Sequence, residues 1–208
     1  LQQYFLPHEL EPFLNMQEAC DVVISGSTVL QFFTGLRWDS DLDLYVVVSE
    51  CRSAGLLLLS CNYEFVPSRH QDPEFLRVVS SISDAVPPTE VGPNYNDSGI
   101  ASVFNFSKGT KSIQLIACRT NVMQVILGFH STCVMNFATR HYAVSLFPVC
   151  SLVSHSSLIN VTDADIRVPT NALSKYAERG WELLTLPSYN EYLSGNSELG
   201  QNIRYPGD

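Results

Sequence analysis

The alternation of apolar and polar positions is clearest between residues 22 and 48, at the centre of the sequence's first half. Residues 22–25 form a short apolar run that is typical of a buried strand. Residues 27 to about 34 carry apolar side chains at helical spacing, and Gly35 is a residue type that ends helices. Residues 41–48 begin with strict alternation, which indicates a second strand. The pattern therefore predicts a strand–helix–strand unit.

Similar patterns predict further elements on both sides of this unit. The expected helices cover residues 8–20, 50–61 and 73 to about 81, and the expected strands cover residues 63–67, 99–107 and 111–119. The last two strands form a hairpin across Lys108-Gly109-Thr110. Asn62 is expected to stop the second helix, although its four leucines at 56–59 also suit a buried strand. The rest of 68–98 is interrupted by prolines and is expected to be a long loop.

The pattern after residue 120 is less regular. It predicts helices at 121–127, with Asn121 as the N-cap, and at 131–139, and a short strand at 142–147. Leu173, Tyr176, Ala177, Gly180, Trp181 and Leu184 recur at helical spacing, which predicts one helix over 171–184. The apolar stripe of this helix suits packing in a core or at a subunit interface. Base stacking by Trp181 is the alternative interpretation. The tail from residue 187 is expected to be extended or wrapped over the surface.

Together these elements predict an α/β (α+β) protein. We expect a mixed β-sheet flanked by helices, with a helical and irregular C-terminal extension. Residues 1–120 would form the core, and residues 121–208 would pack on it, either as a separate part or within a single domain.

Two acids stand at the start of the second strand of the central unit. Side chains alternate between the faces of a strand, so Asp41 and Asp43 lie on one face together with Tyr45. Like charges in a partly buried site are costly unless a cation lies between them. The usual cation is Mg²⁺, which binds carboxylate and phosphate oxygens together, and Mn²⁺ would serve as well. The alternative is a surface strand with solvated aspartates.

A candidate anion site precedes this acid pair. Gly26 and Ser27 form the turn between the first strand and its helix, and the free N–H groups at a helix start attract phosphate. Phosphate at Ser27 and metal at Asp41 and Asp43 would place a nucleoside triphosphate between them. We include Ser40 among the nucleotide-binding candidates.

Gly26-Ser27 followed, after Thr28–Ser40, by DLDLYV resembles the signature of the nucleotidyltransferase superfamily, the DNA-polymerase-beta-like fold. The phrases ILGFHSTCVMNF, HYAVSLFP and LSKYAERGW look like an uncharacterised nucleotidyltransferase-like group from mushroom-forming fungi. This resemblance implies catalysis by Asp41 and Asp43 with a bound metal. It also implies a third carboxylate on the strand at 111–119, where the fitting position is Gln114. Glutamine offers a carbonyl oxygen but no charge and no base. This difference puts catalytic activity in doubt, but not the fold.

Charge and composition limit the choice of partners. The net charge is −9, and no basic stripe is present, so a polynucleotide partner is disfavoured while a metal–nucleotide complex is compatible. A protein acceptor or partner stays open. No apolar run approaches 18 residues, so no membrane span is expected. His130 and His141 lack companions at ligand spacing and are read as packing or hydrogen-bonded histidines.

Six cysteines without zinc spacing favour reduced thiols and an intracellular location, cytoplasmic or nuclear. Three glycosylation sequons, at Asn96, Asn105 and Asn160, are the main argument for secretion, and we discount them. The first residue is not methionine and the last are RYPGD, which suggests a fragment or a processed form.

Three functions fit these observations. The first is a metal-dependent nucleotidyltransferase, and the second is a catalytically degenerate relative that serves as a nucleotide-binding or protein-interaction module. The third is a toxin or defence-type transferase that modifies a protein or RNA.

Overall fold

A computed structural model describes residues 1–85, 99–160, 170–194 and 197–200. Over these ranges the chain forms a seven-stranded mixed sheet flanked by helices, and a separate two-stranded sheet. This architecture confirms the expected α+β fold class.

The helices are α1 (Pro7–Ala19), α2 (Ser27–Thr34), α3 (Cys51–Ser60), α4 (Phe75–Ala85), α5 (Val122–Leu127), α6 (Thr170–Glu178) and α7 (Tyr189–Leu193). The strands are β1 (Val23–Ser25), β2 (Leu42–Val47), β3 (Glu64–Val66), β4 (Ile100–Lys108), β5 (Lys111–Cys118), β6 (Asn136–Ala138), β7 (Ala143–Ser145), β8 (Ser156–Leu158) and β9 (Glu182–Leu184).

The large sheet has the order β3-β4-β5-β2-β1-β6-β7. Its two long central strands, β2 and β5, run parallel, and β1 pairs antiparallel with β2. In this register Asp43 lies between Ser25 on β1 and Gln114 on β5. Paired residues in a sheet point to the same face, so these three side chains share one face at one end of the sheet.

The two faces of the sheet are covered differently. Leu42, Leu44 and Val46 face the main core, which is closed by α1, α3 and α4. Tyr45 and its β5 neighbours face a smaller cluster that is closed by α5. Asp43 precedes Tyr45 on this second face, so the acid pair lies at the open end of the less covered side.

Local chemistry explains where several helices end. Gly35 adopts the left-handed conformation at the end of α2, with a φ of 72°, and its N–H donates to the carbonyl of Gln31. Asn62 takes a φ of 61° directly after α3, which confirms the expected stop. The Asn121 side chain accepts a hydrogen bond from the Met123 N–H at the start of α5, as the N-cap prediction required.

Two sequence predictions in the second half are wrong. Residues 131–139 form a 3₁₀ turn at Thr132–Val134 and strand β6 instead of a helix, because the chain extends there to pair with β1. The helix expected over 171–184 ends at Glu178, where Gly180 takes a φ of 99° and the chain turns into β9. In the tail, Ser188 and Glu191 cap the short helix α7.

Other expectations have mixed outcomes. Two strands from residues 121–208, β6 and β7, complete the large sheet, and the division at residue 120 stays a prediction. All six cysteines are buried free thiols. Among the described residues, no helix is long and apolar enough to cross a membrane. The sequon at Asn96 lies outside the described residues.

A buried ion pair ties α1 to the β4–β5 hairpin. The Nζ atom of Lys108 lies 2.7 Å from Oε1 of Glu9, whose side chain is only 5% exposed. The other Glu9 oxygen accepts a hydrogen bond from the Leu6 N–H at 2.8 Å. Burial alone would raise the Glu9 pKa, but the hydrogen bonds from Lys108 and Leu6 outweigh it and hold the pKa below its ordinary value.

We expect Lys108→Met to lower the free energy of unfolding by about 3 kcal/mol, because Glu9 would stay buried without its cation. Urea denaturation at neutral pH measures this loss. Arg77→Met is the matched control, because it breaks a pair with Glu74 in which the arginine side chain is 72% exposed. That control should lose less than about 1 kcal/mol.

The same pair predicts an acid dependence of stability. Because folding lowers the Glu9 pKa, its contribution is present above the ordinary value of 4.5 and is lost as pH falls through the folded value. Lys108→Met removes the main cause of the depression and should flatten this part of the profile. An unchanged denaturation midpoint in Lys108→Met would contradict the assigned role.

Candidate functional site

The acid pair predicted from the sequence lies at the start of β2. Asp41 is exposed just before the strand, and Asp43 is partly buried within it. Asp43 is flanked in register by Ser25 and by Gln114, so the glutamine lies at the position expected for a third carboxylate. The sheet thus brings together Asp41, Asp43 and the end of β1.

Gly26 packs directly against the Asp43 carboxylate. A Cβ atom placed on Gly26 would collide with Oδ2 of Asp43, so the corner accepts only a residue without a side chain. Its backbone, with a φ of 71° and a ψ of −149°, also lies in a region that glycine alone occupies readily. The Gly-Ser corner therefore lies against Asp43, and the prediction that it shares a cleft with both acids stays a prediction.

Ser27 begins α2 and is 4% exposed. Its Oγ lies 2.9 Å from the Tyr176 hydroxyl, and it accepts a hydrogen bond from Nη1 of Arg179 at 3.3 Å. The Arg179 guanidinium also lies over the Trp38 ring, 4.3 Å from its centre. The hydroxyl expected to meet phosphate is thus beside a cation that the C-terminal part of the chain supplies.

Ser40 has a different position from the other candidates. Its Oγ accepts a hydrogen bond from Gln31 Nε2 at 2.8 Å, and its carbonyl accepts one from the Tyr4 hydroxyl at 2.8 Å. Thr28 Oγ1 donates to the carbonyl of the next residue, Asp41, at 3.0 Å. These bonds fix the loop that enters β2. In the structure, Ser40 therefore helps to position Asp41.

The electrostatics of the site favour a cation. Burial, followed by the charge of Asp41, raises the pKa of Asp43 to about 7, while Lys175 opposes this shift. The two aspartates in turn favour the charged form of Lys175, although burial and Arg179 lower its pKa. Two carboxylates and the ammonium of Lys175 therefore share one region, and the acid pair repels itself where no metal is bound.

The residues present fit one divalent cation better than two. In the ranges that the structure describes, no group of three or more histidine, cysteine or acidic side chains could hold a metal. Asp41 and Asp43 supply two carboxylates, and the carbonyl of Gln114 can add a neutral oxygen. A metal held this way would take its remaining ligands from water or from a phosphate.

A cleft of about 520 Å³ opens beside Asp41. Tyr4 and Trp38 line it, together with the hairpin residue Lys111 and with Lys175 of α6. This volume is enough for a small ligand. Asp41 is therefore reachable from solvent on the side of the β4–β5 hairpin.

The two histidines lie apart from any metal set. His130 Nδ1 lies 2.9 Å from the Ser131 hydroxyl, and its ring lies 5.6 Å from that of Tyr176. Burial, together with Lys175, lowers the His130 pKa. His141 meets Glu18 at the surface at 3.2 Å. Both are hydrogen-bonded histidines, as the sequence reading favoured.

Sequence reasoning missed the contribution of α6 and the residue after it. Lys175, Tyr176 and Arg179 reach the site, whereas the apolar stripe had assigned this segment to core or interface packing. The available signal was the pair of cations at positions i and i+4 flanking the stripe, in a chain with few lysines. Trp181 is 2% exposed and donates from Nε1 to the Ser151 carbonyl, so it is a core residue.

Comparison with known proteins supports the fold and little more. No family model matches the sequence, and no curated protein matches it either. Among solved structures, the chain is similar to a tRNA-processing enzyme with a TM-score of 0.53 and 11% identity. The match covers 86% of this chain and 45% of that enzyme, so the chain spans less than half of its length. The two share a fold, and the fungal resemblance stays a prediction.

We expect Gly26→Ala to destabilise the protein by about 2–3 kcal/mol, because it combines backbone strain with a collision at Asp43. Gly35→Ala is the matched control, since Gly35 has the same sign of φ but nothing within 4 Å of its added Cβ. It should cost about 1 kcal/mol. Thermal unfolding compares the two variants, and equal losses would contradict the close approach of Gly26 to Asp43.

The raised Asp43 pKa predicts how stability depends on pH. An acid whose folded pKa, about 7, exceeds its ordinary value of 3.8 destabilises the folded state as pH rises through that window. We therefore expect Asp43→Asn to be more stable than the wild type at pH 8 without metal, with the gap closing near pH 4. Denaturation across this range measures it, and a gap independent of pH would contradict the assignment.

Proposed function

We propose that this protein is nucleotidyltransferase-like and binds a nucleoside triphosphate together with Mg²⁺ or Mn²⁺. The observation that carries the proposal is the packing of Gly26 against Asp43, which places the helix start of α2 beside the acid pair. A helix start binds phosphate and an acid pair binds a divalent cation, and a metal–triphosphate complex needs both.

The chain's own residues have distinct roles in this proposal. The Ser27 hydroxyl and the Arg179 guanidinium bind the distal phosphates, with Arg179 held in place by the Trp38 ring. Asp41 and Asp43 hold the metal, and Gly26 brings the start of α2 against Asp43. The metal would neutralise charge on the phosphates and orient the α-phosphate.

Nucleotidyl transfer would follow as an in-line displacement. An acceptor hydroxyl oxygen bonds to the α-phosphorus as the bond from that phosphorus to the oxygen bridging to the β-phosphate breaks. Pyrophosphate leaves with the electron pair of the broken bond, and the hydroxyl proton passes to solvent water. Arg179 stabilises the charge that develops on the leaving group.

A second candidate function is a degenerate module that binds a nucleotide without turnover. Gln114 is the observation that favours it, because it lies in register with Asp43 and offers neither charge nor base. Binding by the acid pair and the Gly-Ser corner would persist, while deprotonation of an acceptor would lose the help of a third carboxylate.

We expect Asp41→Asn to weaken Mg²⁺-dependent triphosphate binding at least tenfold, which is about 1.4 kcal/mol, because the metal loses one of two carboxylates. Isothermal titration calorimetry with each of the four ribonucleoside triphosphates measures it, with circular dichroism as the check on folding. Asp84→Asn is the control, since it removes an equal charge from the exposed surface of α4. Unchanged affinity in Asp41→Asn would remove the site from contention.

Pyrophosphate release separates the two candidates. If the protein is a transferase, the wild type releases pyrophosphate when cell extract supplies an acceptor. A degenerate module binds the triphosphate but releases pyrophosphate only in Gln114→Asp, where the third carboxylate is restored.

A further inference from the structure

The cleft beside Asp41 brings two lysines together with two carboxylates. The sequence has three lysines, of which Lys111 and Lys175 line this cleft beside Asp39 and Asp41. The third, Lys108, is bound to Glu9. Asp43 and Asp41 attract the Lys175 ammonium. Lys111 begins the second strand of the hairpin and is the cation that we consider for a ligand.

The floor of the cleft is rigid. Tyr4 is 3% exposed, and its hydroxyl donates to the Ser40 carbonyl. Its own carbonyl accepts a hydrogen bond from the Tyr63 hydroxyl at 2.6 Å, and the Nζ atom of Lys111 lies 3.5 Å from the same oxygen. Lys111 is thus held at the wall of the cleft by a fixed backbone.

The Lys111 end of the cleft lies on the β5 side of β2, whereas the Gly-Ser corner lies on its β1 side. In the sheet, β1 with Ser25 is on one side of Asp43, and β5 is on the other. Lys111 begins β5, three residues before Gln114. In-line displacement requires the acceptor and the leaving pyrophosphate on opposite sides of the α-phosphorus. If the triphosphate occupies the Ser27 side, the acceptor must approach from the Lys111 side.

We propose that this cleft binds the acceptor, and that the acceptor is a small hydroxyl compound with a phosphate or carboxylate group held by Lys111. This inference rests on the proposed function, which places the triphosphate at Ser27. Lys111 attracts the anionic group, and the exposed carboxylate of Asp39 accepts hydrogen bonds from hydroxyl groups. The same carboxylate, in a chain of net charge −9, disfavours a polyanion such as RNA.

The test uses ribose 5-phosphate, ribonate and neutral ribose as probes, with the whole chain and no triphosphate present. Amide NMR titration should show ribose 5-phosphate or ribonate shifting Thr110, Lys111 and Ser112, and it should give their dissociation constants. The stronger of the two probes identifies the anionic group as phosphate or carboxylate. Neutral ribose should bind at least tenfold more weakly.

Lys111→Gln should weaken binding of the stronger probe at least tenfold, and Lys111→Arg should restore most of it. Arg77→Gln is the control, because it removes an exposed cation from α4, outside the residues that line the cleft. Equal affinity in Lys111→Gln overturns the proposal, as does the absence of binding by both anionic probes at millimolar concentration. Shifts confined to Ser27 and its neighbours overturn it as well.

A short RNA with a free 3′ hydroxyl supplies the competing outcome. If it displaces the probe and binds more tightly through Lys111, the acceptor is a polynucleotide and the proposal is overturned. Failure of the proposed function can be distinguished from failure of the acceptor proposal. Binding of ribose 5-phosphate through Lys111, in a protein that calorimetry shows to bind no triphosphate, would keep the cleft as an anion site and remove the transferase.

Discussion

The packing of Gly26 against the Asp43 carboxylate is the constraint on which the rest of the site depends. It requires a residue without a side chain at the end of β1, and it requires Asp43 to point toward that corner. The β1–β2 register meets both requirements by pairing Ser25 with Asp43. Gly26 then turns the chain into α2, so the free N–H groups of the helix start lie next to the acid pair. One contact therefore couples the proposed anion site to the proposed cation site.

Much of this arrangement was predictable because it is local. The strand–helix–strand unit is encoded by contiguous apolar runs, by Gly35 and by the alternation around Asp41 and Asp43, all within 27 residues of sequence. The hairpin that carries Gln114 is similarly encoded by its two arms and the Lys108-Gly109-Thr110 turn. In each case the pattern and the backbone chemistry favour the same structure.

The second half was predicted less well because its structure depends on partners distant in sequence. Asn136–Ala138 has no strong strand pattern and becomes β6 only because β1 offers an open edge. The stripe from Leu173 to Leu184 keeps helical spacing through Gly180, yet β8 pairs with Glu182–Leu184 and converts the last turn into a strand. Tertiary pairing outweighed local periodicity at both places.

This dependence on distant partners bears on how the site would work. Ser27 meets Tyr176 and Arg179 through contacts that span about three quarters of the chain, whereas Asp41, Asp43 and Gly26 belong to one short unit. The acidic half of the site is consequently fixed by the sheet, and the basic half is supplied by α6 and the residue that follows it.

The acidic and the basic halves of the site are held in place by different interactions. Asp43 is fixed by β2, and burial and the nearby charge of Asp41 raise its pKa, so the cation site that we propose would be held by the sheet. Arg179 is held by stacking on Trp38 and by a hydrogen bond to the Ser27 hydroxyl, which are individually modest interactions. A bound triphosphate would replace the contacts of Tyr176 and Arg179 with Ser27. Its charge-assisted hydrogen bonds to Arg179 would strengthen the link between the two halves of the site. Ligand binding and the docking of α6 are therefore expected to stabilise each other.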